Sequence, residues 1–264
     1  MIAKGLLLKD GRAILDALPA STDQNDAIHA ARKAIRRMRA LLALLVADDL
    51  DLDREDFALR RLGKGLSDMR DAHVVVETAR RLQTIHPDPG WQHVIEALEL
   101  RRTRILQRSL GVDPGFMKRR IVVERVLDRV EAQPWGTLRK RTIRAALANS
   151  ERRARKAAER AARDDDPETV HRWRRKVRRL RMQLDAAQEM GAIHGHGDGH
   201  AAAVRKGRAL HRISDRLGWS QDLGLLRNLV RNVPGSAAKQ AAMAWIEREL
   251  RVAGVEAGKI GIFT

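Results

Sequence analysis

The sequence predicts an all-α protein made of two similar halves. Ala, Leu, Arg and Glu are abundant among its 264 residues and runs of β-branched residues are scarce, a composition that favours helices. One helical motif also occurs twice, at residues 28–42 and 170–184. The segment Pro134-Trp135-Gly136 is the expected boundary, which gives halves at 1–133 and 134–264 that together make one domain.

Breaks in the apolar pattern divide the first half into helices. A polar segment at 21–26 offers N-cap candidates for the first motif helix, and Pro- and Gly-containing segments at 86–90 and 111–115 separate the later helices. The expected helices are 11–18, the first motif helix up to about Val46, a long helix from Asp53 or Asp56 through Leu82, 91–110, and 116–132.

The second half repeats this order of signals. Pro167 at a first-turn position, with Asp166 as N-cap, is expected to open the second motif helix, and a glycine- and histidine-rich loop at 191–200 to end it. The other expected helices are 138–162, 201–217, a leucine-rich helix around 216–226, and 237–252.

The doubled motif gives each of two helices one basic face. The copies read IHAARKAIRRMRALL and VHRWRRKVRRLRMQL and share the pattern H-x-x-R-[KR]-x-[IV]-R-R-[ML]-R. At about 100° per residue, four cations of the first copy share with His29 an arc of roughly 120°, and the apolar residues fall opposite; these cations are Arg32, Lys33, Arg36 and Arg39. Trp173 lies on the apolar side of the second copy, so we expect it in the core.

These basic faces indicate an anionic ligand. They carry no carboxylate between positions 29 and 39 or between 171 and 181, although like charges three or four residues apart weaken a helix. The helix after the second copy adds further cations. The candidate phosphate-binding residues are His29, Arg32, Lys33, Arg36, Arg37, Arg39, His171, Arg174, Arg175, Arg178, Arg179, Arg181, Arg205, Lys206, Arg208 and Arg212.

Some of these assignments keep an alternative. Arg37 and Arg179 lie nearer the edge of the arc, where they equally suit snorkelling to solvent or pairing with carboxylates. His29 and His171 suit donors to phosphate near a helix N-terminus and, with equal weight, histidines that order neighbouring backbone or pack between helices.

The overall composition limits the classes of partner. The chain has 52 basic and 34 acidic residues, a net charge of +18, which predicts a polyanionic partner. Aromatic residues make up only 3%, which disfavours single-stranded nucleic acid because its bases need rings to stack on. There is no Cys, and no apolar stretch is long enough to cross a membrane. We therefore expect a soluble, cytoplasmic protein; monomer and homodimer both remain open.

A second pair of segments completes a family resemblance. GLSDMRDAHVVV at 65–76 and RLGWSQDLGLL at 216–226 follow the two motif helices and align Asp71 with Asp222. This doubled arrangement resembles the CHAD family, the conserved histidine α-helical domain. The resemblance implies two antiparallel four-helix bundles related by a pseudo-twofold, a central basic groove or pore, and binding of inorganic polyphosphate, with association to polyphosphate granules in some members.

The sequence favours a binding module over an enzyme. It contains no nucleophile elbow, phosphate-cradling glycine loop or H-E-x-x-H motif, and we expect neither a cofactor nor a metal site. His194, His196 and His200 are interpreted as part of a flexible loop rather than as metal ligands. Asp71 and Asp222 are interpreted as structural partners of arginines.

Two other functions stay open. One is a helical nucleic-acid-binding protein that uses the same basic faces; weak nonspecific nucleic-acid binding would follow from the charge alone. The other is a phosphohydrolase or phosphotransferase that acts through a phosphohistidine on His29 or His171.

Overall fold

The protein is all-α, as predicted. The computed structural model describes residues 2–18, 24–45, 50–164, 166–193, 198–235 and 237–258, with the backbone alone at 167, 198–203, 237–238 and 254–258. These residues form α1 (Ile2–Ala17), α2 (Gln24–Leu42), α3 (Asp53–Gly65), α4 (Ser67–Ile85), α5 (Gly90–Val112), α6 (Met117–Ala132), α7 (Lys140–Ala161), α8 (Pro167–Glu189), α9 (Asp198–Val230) and α10 (Ala237–Gly258). Short 3-10 helices occupy Pro114–Phe116 and Trp135–Thr137.

The chain folds into two compact units, each made of two segments. The first unit contains Met1–Leu66 and Gly115–Ser214, and the second contains Ser67–Pro114 and Asp215–Ile262. Each unit therefore takes segments from both sequence halves, 1–133 and 134–264. The division into halves and their pseudo-twofold relation stay predictions about the repeat.

The first unit buries the apolar sides of both motif helices. On α2, Ile28 and Met38 are buried, and on α8 Trp173 is 3% exposed, which confirms its predicted place in the core. Helix α1 packs between α2 and α6. Its approach to α6 is close at Gly11, where a Cβ atom would lie 2.2 Å from Leu127 Cδ2, so only glycine fits there without displacing the leucine.

The second unit has its own core, formed by α4, α5, the later part of α9, and α10. Trp91 of α5 is fully buried there with Leu82, Leu226 and Ile246. At its edge the ring of His86 stacks on Trp245 with the centroids 4.2 Å apart. This stacking links the end of α4 to α10, and the buried residues of the four helical segments form one contiguous apolar cluster.

The structure corrects three helix boundaries. The long helix predicted from Asp53 or Asp56 to Leu82 is two helices, because the chain leaves regular helical geometry at Leu66 (φ −101°, ψ −1°) after a glycine-rich end of α3. Conversely, the two helices predicted at 201–217 and 216–226 are one continuous α9, since no proline interrupts its buried stripe.

The third correction concerns α1, which begins at Ile2 rather than near Gly11. Ala3, Leu7 and Ile14 are buried at helical spacing, so packing extends the helix through its glycines. The cap candidates at 21–23 and the loop histidines His194 and His196 lie outside the described residues, as does the side chain of His200.

Candidate anion-binding site

The second basic helix begins as predicted. Asp166 is the N-cap of α8, and its carboxylate accepts hydrogen bonds from the backbone N–H groups of Glu168 (3.3 Å) and Thr169 (3.2 Å). Pro167 occupies the first turn, where its missing N–H costs nothing. The cap fixes the residue at which α8 begins, and its hydrogen bonds occupy these two backbone N–H groups. An anion near His171 must therefore be bound by side chains.

Within the first unit, α8 lies between the other two basic helices. On one flank it packs against α2, where the buried Gln183 Nε2 donates to the Ala40 carbonyl at 3.1 Å. On the other flank, Arg181 hydrogen-bonds the ring of His211 on α9. The fold thus gathers all the candidate residues in one unit, on α2, α8 and the part of α9 up to Ser214.

A salt bridge also attaches α9 to α7. Lys206 Nζ lies 2.6 Å from Glu151 Oε1, and both side chains are about one-third exposed. Lys206 is therefore a candidate cation that already has a carboxylate partner. The salt bridge also holds the start of α9 beside the α7–α8 pair.

The candidate side chains differ in exposure. Six of them are exposed: His29, Lys33, Arg175, Arg205, Arg208 and Arg212. The other ten are half-buried: Arg32, Arg36, Arg37, Arg39, His171, Arg174, Arg178, Arg179, Arg181 and Lys206. Since arginine keeps its charge when partly dehydrated, half-buried guanidinium groups remain suited to phosphate.

A carboxylate from α3 sits where α2 and α8 meet. Asp56 accepts two hydrogen bonds from Arg39, from Nε at 2.7 Å and from Nη2 at 3.1 Å. The pKa of Arg179 is lowered, first by burial and then by the nearby charges of Arg39, Arg153 and Arg175, while Asp56 acts in the opposite direction. Asp56 therefore partly neutralises a junction at which basic residues of both motif helices converge.

Other candidates bond to neighbouring elements. Arg37 donates from Nε (2.8 Å) and Nη2 (2.5 Å) to one oxygen of Asp10 on α1, the carboxylate pairing that the sequence left open for it. Arg32 Nη1 donates to the Gly63 carbonyl at 2.6 Å. These contacts attach α2 to α1 and α3 and thereby fix the direction of its basic face.

Sequence reasoning missed the two carboxylates that pair with arginines of α2. Asp10 lies 27 residues before Arg37, and Asp56 lies 17 residues after Arg39. The available signal was weak, because Asp56 reads as an ordinary acidic residue in the first turn of α3. The placement of all sixteen candidates as phosphate ligands stays a prediction.

The described part of the chain offers no alternative metal site. It contains no group of three or more histidine and carboxylate side chains close enough to hold a metal ion. Among the same residues, no helix combines the length and apolar composition needed to cross a bilayer.

The fold and site define an all-helical protein with arginine-rich helices clustered in one unit. The chain belongs to the CHAD domain family, whose model matches residues 6–231. This confirms the resemblance drawn from the doubled motif. No curated protein matches the chain.

Solved structures show the same fold. The CHAD domain from the plant Ricinus communis superposes with a TM-score of 0.70 at 18% identity, covering 98% of this chain and 90% of that one. PptA from Streptomyces chartreusis gives a TM-score of 0.67 at 18% identity, with coverages of 98% and 96%. At this identity the likeness concerns the fold.

Proposed function

We propose that the protein binds inorganic polyphosphate, without catalysis, through the basic faces of α2, α8 and the start of α9. The observation that carries this proposal is the placement of α8 between α2 and α9, through Gln183 on one flank and Arg181 on the other. The association of the CHAD family with polyphosphate supports the choice of ligand.

The chemistry of the side chains suits a chain of phosphates. Polyphosphate presents equivalent charged groups and no bases, so a binder needs an extended row of fixed cations. Arginine donates two parallel hydrogen bonds to phosphate oxygens and stays charged near neutral pH. The affinity comes mainly from released counterions and therefore falls steeply as salt increases.

The residues divide into direct ligands and supports. Lys33, Arg205, Arg208 and Arg212 are exposed, and no hydrogen bond or ion pair occupies their side chains among the described residues. Arg37 and Arg39 are held by Asp10 and Asp56 and act first as supports of the α2 face. The cations of the two motif helices then form the central part of the phosphate track.

Charge reversal on both motif helices tests the location. The variant Arg36→Glu with Arg178→Glu should bind long-chain polyphosphate at least about 100-fold more weakly, because two half-buried cations become anions. The matched control is Arg101→Glu with Arg108→Glu on α5, two exposed arginines with the same total change of charge. Far-ultraviolet circular dichroism checks helicity in both variants. Equal affinities in the two variants would place the site elsewhere.

A competition titration separates polyphosphate from nucleic acid. In this assay, duplex DNA or unlabelled polyphosphate is added at equal phosphate concentration to the complex of the protein with fluorescent long-chain polyphosphate, at near-physiological salt. The proposal expects DNA to be the much weaker competitor, and equal displacement would favour a general polyanion binder. Colocalisation of the tagged protein with polyphosphate granules, lost in the Arg36→Glu, Arg178→Glu variant, would extend the proposal to the cell.

A further inference from the structure

A basic cleft lies between α7 and α8, outside the sixteen candidate residues. It is an open groove with a volume of about 590 Å³. The residues that line it are Arg153, Lys156, Ala157, Arg160, Arg163, Asp164, Thr169, Arg172 and Lys176. Six of these nine are cations and one is a carboxylate, so the lining is strongly positive.

The helical register arranges these cations in two facing rows. On α7 and the turn that follows it, the four cations lie at intervals of three, four and three residues, which places them on one face over about 15 Å. On α8, Arg172 and Lys176 lie four residues apart on the face that packs toward α7. Two such rows form an elongated groove rather than a round pocket.

The cations of the α7 row are not neutralised by carboxylates of their own helix. Glu151 pairs with Lys206, and Glu159 lies 3.9 Å from Arg155, which does not line the cleft. Among the described residues, no hydrogen bond or ion pair engages the side-chain nitrogens of Arg153, Lys156, Arg160, Arg163 or Lys176.

Among the described residues, Asp164 is the one carboxylate that lines the cleft, and it is largely committed to the α7–α8 turn. Asp164 accepts hydrogen bonds from the backbone N–H of Asp166 (3.0 Å) and from the hydroxyl of Thr169 (3.2 Å). Arg172 donates to the same hydroxyl oxygen at 3.0 Å and lies 3.9 Å from Asp166. One end of the groove is thus hydrogen-bonded, while the remaining cations have no carboxylate partner in the part of the chain that the structure describes.

The electrostatics agree with this geometry. The pKa of Lys176 is lowered, first by burial and then by the charges of Arg179, Arg153 and Arg175. Arg153 also lowers the pKa of Arg179 at the junction with α2. Cations of the groove and of that junction therefore repel one another.

We infer that the α7–α8 cleft is a second phosphate-binding site, which takes a short run of linked phosphate groups. The elongated double row fits a linear polyanion, and the lining residues include no aromatic side chain on which a nucleobase would stack. The inference goes beyond the proposed function, since none of the cleft residues belongs to the track on α2, α8 and α9. It can be tested whether or not that track binds polyphosphate.

The test uses tripolyphosphate, measured by isothermal titration calorimetry over a series of salt concentrations. The cleft variant is Lys156→Gln, Arg160→Gln and Lys176→Gln, and the matched control is Arg101→Gln, Arg104→Gln and Arg108→Gln, an exposed row of three arginines on α5. We expect the cleft variant to lose its binding component at the cleft, with affinity there at least about tenfold weaker and a salt slope smaller by roughly 2. The control should bind like wild type.

Each result has a defined meaning. Unchanged binding by the cleft variant, or an equal loss in the control, overturns the inference, because bulk charge alone would then explain the affinity. If Arg36→Glu with Arg178→Glu removes all tripolyphosphate binding, the cleft is not a separate site and the inference also fails. If that variant binds tripolyphosphate normally while the cleft variant does not, the cleft stands as a separate site, and the titration with long-chain polyphosphate decides the proposed track. Lys156→Gln with Arg160→Gln, both exposed, gives the same direction of change should the triple variant fold poorly.

Discussion

Asp56 controls how much positive charge the junction of α2 and α8 presents. The substitution Asp56→Asn removes the carboxylate that accepts two hydrogen bonds from Arg39 and that offsets the charge near Arg179. Hydrogen bonds to charged groups contribute about 1.5–3 kcal/mol when buried. Here the side chains are 25% and 40% exposed, so solvent screening reduces the expected loss of unfolding free energy to about 1 kcal/mol.

The same substitution should strengthen polyphosphate binding. Without Asp56, a phosphate oxygen replaces the carboxylate as the partner of Arg39, and repulsion between Arg39 and Arg179 is relieved only in the complex. Each cation that becomes available should steepen the slope of log K against log salt by about 0.7–0.9. Saturating polyphosphate should therefore stabilise the variant more than it stabilises wild type.

Urea unfolding with and without polyphosphate measures both effects, and calorimetry at several salt concentrations measures the slope. Asp53→Asn is the matched control, because it removes an exposed carboxylate three residues away in the same first turn of α3. Weaker binding by Asp56→Asn, or identical changes in the two variants, would refute the view that Asp56 competes with phosphate for Arg39.

Three further predictions follow from local geometry. Gly11→Ala should destabilise the protein by about 1–3 kcal/mol in urea unfolding, because the new Cβ overlaps Leu127. Gly5→Ala should instead stabilise it by about 0.5–1 kcal/mol, because no atom lies within 4 Å of the new Cβ. A change of the same sign in both variants would contradict this prediction. Lys176→Gln should stabilise the protein by about 0.2–0.5 kcal/mol at neutral pH and low salt. The pKa of Lys176 in the folded protein lies below 10.5, so between these two pKa values the unfolded chain binds more protons than the folded one and wild type gains stability as pH rises. The stability difference in favour of Lys176→Gln should therefore shrink over this pH range. A difference independent of pH would contradict the lowered pKa of Lys176. Wild-type protein incubated with polyphosphate and Mg²⁺ should release no orthophosphate in a colorimetric assay, and release that His29→Ala abolishes would instead indicate catalysis.

Local sequence patterns predict the basic helices well. Ile28 and Trp173 are buried on the sides opposite the cations, as the helical count requires. Asp166 caps α8, and Pro167 occupies its first turn. These features depend on residues within one or two turns of each other, so a single sequence contains the information that determines them.

Features that depend on distant packing escape such patterns. The break at Leu66 separates α3 from α4 although apolar spacing continues across it, whereas α9 continues through Gly218, where the sequence suggested a new segment. The partners of Arg37 and Arg39 come from α1 and α3. Helical spacing shows that a cation lies on a face, but only the tertiary structure shows which carboxylate lies opposite.

The α7–α8 cleft illustrates the same limit for function. The sequence ERRARKAAERAAR at 151–163 resembles an ordinary basic helix, because its two glutamates, Glu151 and Glu159, suggest that the charge is balanced within the helix. In the structure Glu151 pairs with Lys206, and Glu159 lies near Arg155. Both carboxylates therefore contact cations outside the cleft, and the cations that line the cleft still repel one another. That repulsion lowers the stability of the ligand-free protein, and a bound phosphate chain would relieve it. Binding energy at such a site therefore includes the relief of electrostatic repulsion that is already present in the ligand-free protein, and the phosphate oxygens supply acceptors for the arginine and lysine donors of the groove.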